Sequence, residues 1–124
     1  MLLDTNIVIY SCQQGGEWLS PWTENPGAAI ASVSRVEALG FPAISDEEEA
    51  AIRSFFDASL CYALDDDVIE RAIRLRRQRK MGTADAIIAA TALGFGLPLV
   101  TRNVDDFKHI TELKIINPFA EQHD

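Results

Sequence analysis

The sequence predicts an α/β fold with a central, mainly parallel sheet of about five strands, flanked by helices. Short apolar runs of strand length recur along the chain, and segments with helical periodicity or helix caps separate them. This alternation of strand and helix is typical of a parallel sheet. The five apolar runs lie at 1–4, 28–32, 60–64, 97–101 and 113–117.

Helix signals fill the middle of the chain. An S-x-x-E capping box that starts at Ser45 predicts a helix at about 46–58. The acidic run at 65–67 complements the positive end of a helix dipole, and apolar residues follow it at helical spacing. The segment 83–93 is apolar nearly all round, which predicts a buried helix that Gly94 ends in the left-handed conformation.

Length and composition fit one globular domain over 1–124, since 124 residues can bury a core without disulfide or metal staples. No apolar run approaches the roughly 20 residues that span a bilayer, and a signal peptide is not recognisable, so we expect a cytoplasmic protein without a membrane anchor. Cys12 and Cys61 lack CxxC spacing, so we expect core thiols rather than a zinc site or disulfide.

The formal net charge of -8 is unfavourable for a nucleic-acid partner, because phosphates are bound through Lys and Arg. The basic residues are nevertheless concentrated. Six of the eleven fall within 71–80, namely Arg71, Arg74, Arg76, Arg77, Arg79 and Lys80. This stretch predicts either a guide for RNA backbone or a solvated helix face, and the sequence leaves both open.

Several reaction classes lack their motifs. The chain has no GxxxxGK[ST] loop and no complete GxGxxG, which argues against a nucleotide cofactor. His109 and His123 have no Ser or Cys nucleophile motif beside them, which argues against a hydrolytic triad. Aspartyl-phosphate phosphatases commonly place a second Asp two residues after the first. This chain has Asn6 at that position, which argues against a phosphatase of that class.

Polar residues follow the predicted strands, where parallel sheets bind their ligands. Asp4 closes the first strand, Glu37 follows the second, Asp85 opens the buried helix, and 101–103 follow the fourth. These positions meet at one crevice if the second and fourth strands flank the first. Carboxylates gathered there repel one another, and Mg²⁺ or Mn²⁺ would relieve that repulsion.

Each candidate residue also has a structural interpretation that its local spacing leaves open. These are an N-cap for Asp4, a capping box with Ser34 for Glu37, dipole complementation for Asp85, and ordinary turn positions for Asn103 and Asp106.

Four segments in a fixed order resemble the PIN domain family. They are Met-Leu-Leu-Asp-Thr-Asn at the start, Ser-x-x-Glu near 37, Asp-Ala-Ile-Ile-Ala-Ala-Thr-Ala at 85–92, and Leu-Val-Thr-Arg-Asn-x-x-Asp-Phe at 99–107. The resemblance covers essentially the whole chain and is strongest to the small VapC-type toxins of VapBC toxin–antitoxin pairs. It implies a PIN-like fold.

The resemblance also implies a metal-dependent endoribonuclease that hydrolyses RNA with one or two Mg²⁺ or Mn²⁺ ions. The family's first three acidic metal positions fall on Asp4, Glu37 and Asp85, and the fourth, often Asp, falls on Asn103. Because Asn103 is neutral, Asp106 is a candidate replacement ligand. The alternative is a catalytically weak PIN module that binds RNA or a protein partner without turnover.

Supporting groups and partners are implied in the same way. Thr101 would hydrogen-bond a site carboxylate or a water, and Asn6 would add a further polar group. A cognate VapB-like antitoxin protein would cover an apolar groove and insert a basic side chain among the carboxylates, and a homodimer is implied. The candidate RNA contacts are Arg74, Arg76, Arg77, Arg79 and Lys80.

Overall fold

The computed structural model describes residues 1–121, apart from the side chain of Glu121, and has an all-parallel sheet of five strands. The strands are β1 Leu2–Leu3, β2 Ala29–Ala31, β3 Leu60–Tyr62, β4 Leu99–Val100 and β5 Ile115–Ile116. Their order is β3-β2-β1-β4-β5, so β1 is central with β2 on one side and β4 on the other. The predicted fold class is confirmed, and each predicted apolar run contains one of these strands.

Helices cover both faces of the sheet. Within the described residues they are α1 Thr5–Ser11, α2 Ser20–Thr23, α3 Val33–Leu39, α4 Asp46–Asp57, α5 Asp66–Gln78, α6 Thr83–Gly94 and α7 Val104–Phe107, with short 3-10 turns at Glu17–Leu19 and Pro118–Glu121. The predicted capping box of α4 is confirmed, because the Ser45 hydroxyl accepts from Glu48 N and the Glu48 carboxylate accepts from Ser45 N.

Alternating side chains of the short strands build two apolar layers. Leu2 and Leu99 face one layer with α5 and α6, and Leu3 and Val100 face the other with α1 and α4. The apolar character of α6 all round is explained by its position, since six of its residues are buried. Because all strands are parallel, their carboxyl ends meet at one edge, where α1, α3 and α6 begin.

The end of α6 differs from the prediction for Gly94. Gly94 is still helical, and Gly96 takes the left-handed conformation with φ 65°. Gly96 N donates to Leu93 O at 3.2 Å and Leu97 N donates to Ala92 O at 2.8 Å, which is the Schellman pattern of a helix end. Gly94 is therefore the last helical residue, and the second glycine, Gly96, supplies the left-handed residue that ends the helix.

The prediction of two core thiols is wrong for Cys61. Cys61 lies exposed on the edge strand β3, while Cys12 is half-buried. His123 lies outside the described residues. No helix in the described part of the chain is both long and apolar enough to cross a membrane.

Candidate metal centre

Four carboxylates from separate parts of the chain gather at the carboxyl edge of the sheet. Asp4 directly follows β1, Glu37 lies on α3, Asp85 lies in the first turn of α6, and Asp106 lies on α7. Their negative charges act on one another, since Asp4, Asp106 and Glu37 all raise the pKa of Asp85. The flanking of β1 by β2 and β4 is what brings these distant residues to one place.

Asp4 is buried, with 4% of its surface exposed, and two hydrogen bonds hold its carboxylate. Its Oδ1 accepts from Thr5 N at 2.9 Å, and its Oδ2 accepts from the Thr101 hydroxyl at 2.7 Å. The first bond caps α1, so the structural and functional interpretations of Asp4 are compatible. Burial raises the pKa of Asp4, and both hydrogen bonds oppose that rise.

A pair of hydroxyl groups orients Glu37. The Thr5 hydroxyl donates to Glu37 Oε1 at 2.6 Å and lies 2.8 Å from Ser34 Oγ. A carboxylate accepts only and Thr5 has one hydroxyl proton, so we assign Ser34 as the donor in the second contact. The predicted capping box of Ser34 and Glu37 is wrong, because α3 has its N-cap at Ser32 and no side-chain cap bond.

Asp85 is half-buried in the first turn of α6. Its pKa rises from the ordinary value of 3.8 to about 6. Burial is the largest cause, and the charges of Asp4, Asp106 and Glu37 follow in that order. A nearby cation would lower the pKa of a carboxylate in this environment, because a cation stabilises the ionised form.

Of the residues that follow β4, Thr101 and Asp106 interact with the acidic cluster more directly than Asn103 does. Thr101 is fully buried, donates to Asp4 and accepts from Asn103 N at 3.0 Å. Asn103 itself is exposed at the N-cap of α7, where its side chain makes no cap hydrogen bond. The charge of Asp106 instead acts on both Asp4 and Asp85.

The four carboxylates fit a divalent cation by their chemistry but do not form a finished ligand shell. In the described residues no three Asp, Glu, His or Cys side chains are arranged to hold one metal ion. The carboxylate charges act on one another over distances longer than a metal–oxygen bond of about 2.0–2.6 Å. Their mutual repulsion is therefore compatible with the lack of a finished ligand shell. Among residues 1–121 the ion pairs are Arg53–Glu49 and Lys108–Asp105, which leaves all four carboxylates without a cationic partner. Rotation of the side chains would be needed to focus their oxygen atoms on one ion.

Comparison with known proteins agrees with this arrangement of strands. The family model of the PIN domain matches residues 1–113. The chain belongs to the PIN domain family. A ribonuclease VapC of Rickettsia bellii (strain RML369-C) is 27% identical over 128 aligned positions, which cover 94% of each protein.

Solved structures share the fold of this PIN domain. A chain of a toxin–antitoxin complex from Klebsiella pneumoniae is 32% identical with a TM-score of 0.76, over 94% of this chain and 96% of that one. A chain of VapBC2 from Rickettsia felis, bound to a DNA fragment from their promoter, is 22% identical with a TM-score of 0.77 over 94% of this chain and 96% of that one. At that identity the second match shows the fold alone.

A small cavity of about 140 Å³ lies beside the carboxylates of the PIN domain. Its lining includes Asp85, Asp106, Arg79, Lys80 and His109. Within the described residues, Nε2 of His109 is buried without a hydrogen-bond partner. Sequence reasoning missed His109, because a single histidine three residues after Asp106 forms no recognisable motif. The cavity brings two cationic side chains next to the acidic cluster.

The basic residues of the stretch 71–80 lie in different places in the structure. Arg79 and Lys80 line the cavity beside the carboxylates, whereas Arg74 lines a separate groove near the far end of α6. Arg76 donates from Nε to Met81 O at 3.1 Å, and Arg77 is exposed on α5. Asn6, the other predicted supporting group, is half-buried on α1.

Proposed function

We propose that this PIN domain is a metal-dependent endoribonuclease that hydrolyses RNA phosphodiester bonds, and that it is the toxin of a type II toxin–antitoxin pair. The observation that carries the proposal is the gathering of Asp4, Glu37, Asp85 and Asp106 at one edge of the sheet, where none of them forms an ion pair within the described residues. The similarity to a ribonuclease VapC and to a toxin–antitoxin complex supports the substrate and the toxin role.

One or two Mg²⁺ or Mn²⁺ ions would be held by Asp4, Glu37 and Asp85, with Asp106 or Asn103 as a further ligand. Such ions, when bound, lower the pKa of water and stabilise the charge that develops on a phosphate. Their oxygen preference matches the donor set. Because Asp85 must ionise to serve as a ligand, metal affinity should rise with pH through about 6.

The chain's own hydroxyl groups set the orientation of two of these ligands. Thr101 holds one oxygen of Asp4, and Thr5 holds one oxygen of Glu37. Hydrogen bonds of this kind fix ligands around metal sites and limit the rotation that binding requires. We therefore assign both threonines a positioning role in the proposed reaction.

The RNA backbone would reach the carboxylates through Arg79 and Lys80, which line the adjacent cavity. Arg74, Arg76 and Arg77 remain candidates for weaker contacts further along α5. In-line attack by water would leave a 5′-phosphate and a 3′-hydroxyl. Detection of a 2′,3′-cyclic phosphate product would rule out this reaction.

The proposed setting is a single cytoplasmic domain over 1–124 that forms a homodimer and binds a VapB-like antitoxin. The solved relative from Klebsiella pneumoniae is a toxin–antitoxin complex, which supports a protein partner of this class. The antitoxin would be encoded by a short neighbouring gene. Its basic side chain would meet the same uncompensated carboxylates as a metal ion.

The decisive experiment is incubation of the purified chain with structured RNA and Mn²⁺. We expect cleavage that disappears with a chelator and with Asp4→Asn, while Glu112→Gln, which changes an exposed turn carboxylate, cleaves like the unmodified chain. Cleavage that persists in chelator would contradict the proposal. RNA binding without cleavage, with turnover gained by Asn103→Asp, would support the catalytically weak module instead.

A test of the RNA path compares Arg79→Ala and Lys80→Ala with Arg77→Ala. The first two remove cations from the cavity beside Asp85, and the third removes the same charge from the exposed face of α5. We expect the cavity variants to weaken RNA binding and reduce its salt dependence more than Arg77→Ala does. Equal effects of all three would argue for a diffuse basic surface.

A further inference from the structure

Arg102 is a cationic side chain at the same edge of the sheet that stacks on aromatic rings instead of pairing with an acid. Its Cζ lies 4.5 Å from the centre of the Phe119 ring and 5.7 Å from that of Tyr10. No ion pair of Arg102 occurs within the described residues. A guanidinium over an aromatic ring still carries five N–H donors, and those that do not face the ring are available to a ligand.

The rings beneath Arg102 form a supported platform rather than a mobile pair. Phe119 meets Tyr10 edge-on at 5.3 Å and Trp18 edge-on at 4.9 Å, and Trp18 meets Trp22 at 6.3 Å. Phe119 N also donates to Asn117 Oδ1 at 3.0 Å, which fixes the turn that carries the ring. A guanidinium on such a platform loses little further freedom when it binds a ligand.

Two connections relate Arg102 to the acidic cluster. Arg102 directly follows Thr101, whose hydroxyl binds Asp4. Tyr10 is one turn after Asn6 on α1, and helical side chains lean toward the N-terminus, which for α1 is the end that Asp4 caps. The Arg102 guanidinium therefore lies on the α1 side of the sheet, over Tyr10 and Phe119.

We propose that Arg102, held by Tyr10 and Phe119, binds a backbone phosphate of the RNA next to the one that is cleaved. A guanidinium presents paired N–H groups that match a phosphate. Arg79 and Lys80 lie on the α5–α6 side, so the RNA crosses the carboxylates between two cationic sites on opposite sides of the sheet. This inference rests on the proposed function and names a substrate contact that the basic stretch does not contain.

The first test measures the affinity of a short single-stranded RNA with Ca²⁺ replacing Mn²⁺, and a gel after each titration checks that the RNA is intact. We expect Arg102→Ala to raise Kd about tenfold, which is ~1.4 kcal/mol. Loss of one phosphate contact should also make the slope of log K against log salt shallower by about 0.7. The matched control is Arg53→Ala, because Arg53 is an equally charged, exposed residue on α4 paired with Glu49.

Two further variants distinguish the effect of the Arg102 charge from the effect of the aromatic rings beneath it. Arg102→Lys should keep the salt slope and recover only part of the affinity, since an ammonium lacks the paired N–H groups. Phe119→Leu, compared by thermal melt to verify folding, should keep the slope and raise Kd by about threefold, because the charge remains but its platform is lost. In cleavage assays with Mn²⁺, Arg102→Ala should raise KM and leave kcat within about threefold.

Three outcomes would overturn the inference. If Arg102→Ala binds and cleaves RNA like the unmodified chain, the contact is absent although the proposed function stands. If it weakens only the complex with an antitoxin, Arg102 belongs to a protein interface. If the unmodified chain neither binds nor cleaves RNA, both the proposed function and this inference fail.

Discussion

Asp85→Asn should stabilise the metal-free protein while it abolishes the proposed cleavage. Asparagine has nearly the same shape as aspartate, so packing in the first turn of α6 is retained. The substitution removes a negative charge that is half-buried and repelled by Asp4, Asp106 and Glu37. It also removes one of the proposed metal ligands, which is why stability and activity should change in opposite directions.

The pKa of Asp85 sets the size of the effect. A rise from 3.8 to about 6 corresponds to an upper limit of ~3 kcal/mol in the free energy of unfolding. Because the carboxylate is only half-buried, solvent screening reduces this to about 1 kcal/mol. For a chain of 124 residues, that free energy raises Tm by about 4 °C.

The sign of the pH dependence follows from the same shift. The folded-state pKa of Asp85 lies above its unfolded value, so the native state binds more protons between pH 3.8 and about 6. The stability associated with Asp85 is therefore fully present below pH 3.8 and is lost as the pH rises through about 6. The advantage of Asp85→Asn should be complete at about pH 7.5 and about half as large at about pH 5.

Thermal melts followed by circular dichroism, in chelator and at both pH values, measure this difference. Added Mg²⁺ should then raise the Tm of the unmodified chain and leave that of Asp85→Asn unchanged, because only the former binds the ion well. Glu112→Gln is the control for loss of one exposed charge. An Asp85→Asn variant that is less stable than the unmodified chain at about pH 7.5 would refute the repulsion argument.

Three further predictions follow from the contacts around the carboxylates. Thr5→Val should destabilise the fold by about 1–2 kcal/mol in urea melts and lower cleavage, because the buried hydroxyl that orients Glu37 is lost. Asp106→Asn should weaken Mn²⁺ binding in calorimetry more than Asn103→Ala does, because the charge of Asp106 acts on both Asp4 and Asp85, whereas Asn103 is neutral. Phe107→Ala should cost about 3–5 kcal/mol of stability in urea melts, since the ring is fully buried in the core.

Controls for these variants are available in the chain itself. Thr5→Ser keeps the hydroxyl and should retain most of the cleavage that Thr5→Val loses. Equal loss of Mn²⁺ affinity in Asn103→Ala and Asp106→Asn would mean that both side chains turn toward the ion. A cost below about 1 kcal/mol for Phe107→Ala would show that the α7 segment is not part of the cooperative core.

The sheet and the convergence of distant residues at its edge could be predicted from the sequence. Both follow from the spacing of the apolar residues and from the order of strands and helices along the chain. Five apolar runs separated by helices leave few topologies for a parallel sheet. Once β2 and β4 flank β1, the residues after these strands must share an edge. The buried position of α6 was equally visible, since a helix that is apolar all round can only lie between other layers.

The wrong predictions came from motifs that compete with partners elsewhere in the fold. Ser34 and Glu37 have capping-box spacing, but both instead contact the Thr5 hydroxyl, about 30 residues earlier in the chain. Gly94 could have ended α6, but the bonds of the Schellman motif form around Gly96. In both cases the local pattern is present in the sequence. Contacts or backbone geometry that the pattern does not specify determine the structure instead.

Charge placement explains how an acidic chain can serve the proposed reaction. The acidic run Asp46 to Glu49 lies in the first turn of α4, where it complements the helix dipole and faces solvent. Asp85 and Asp106 also lie in first helical turns, but burial and the neighbouring carboxylates raise the pKa of Asp85, so this cluster gains most from a bound cation. A net charge of -8 therefore does not by itself exclude RNA, because the phosphate would approach those negative charges that a divalent ion neutralises.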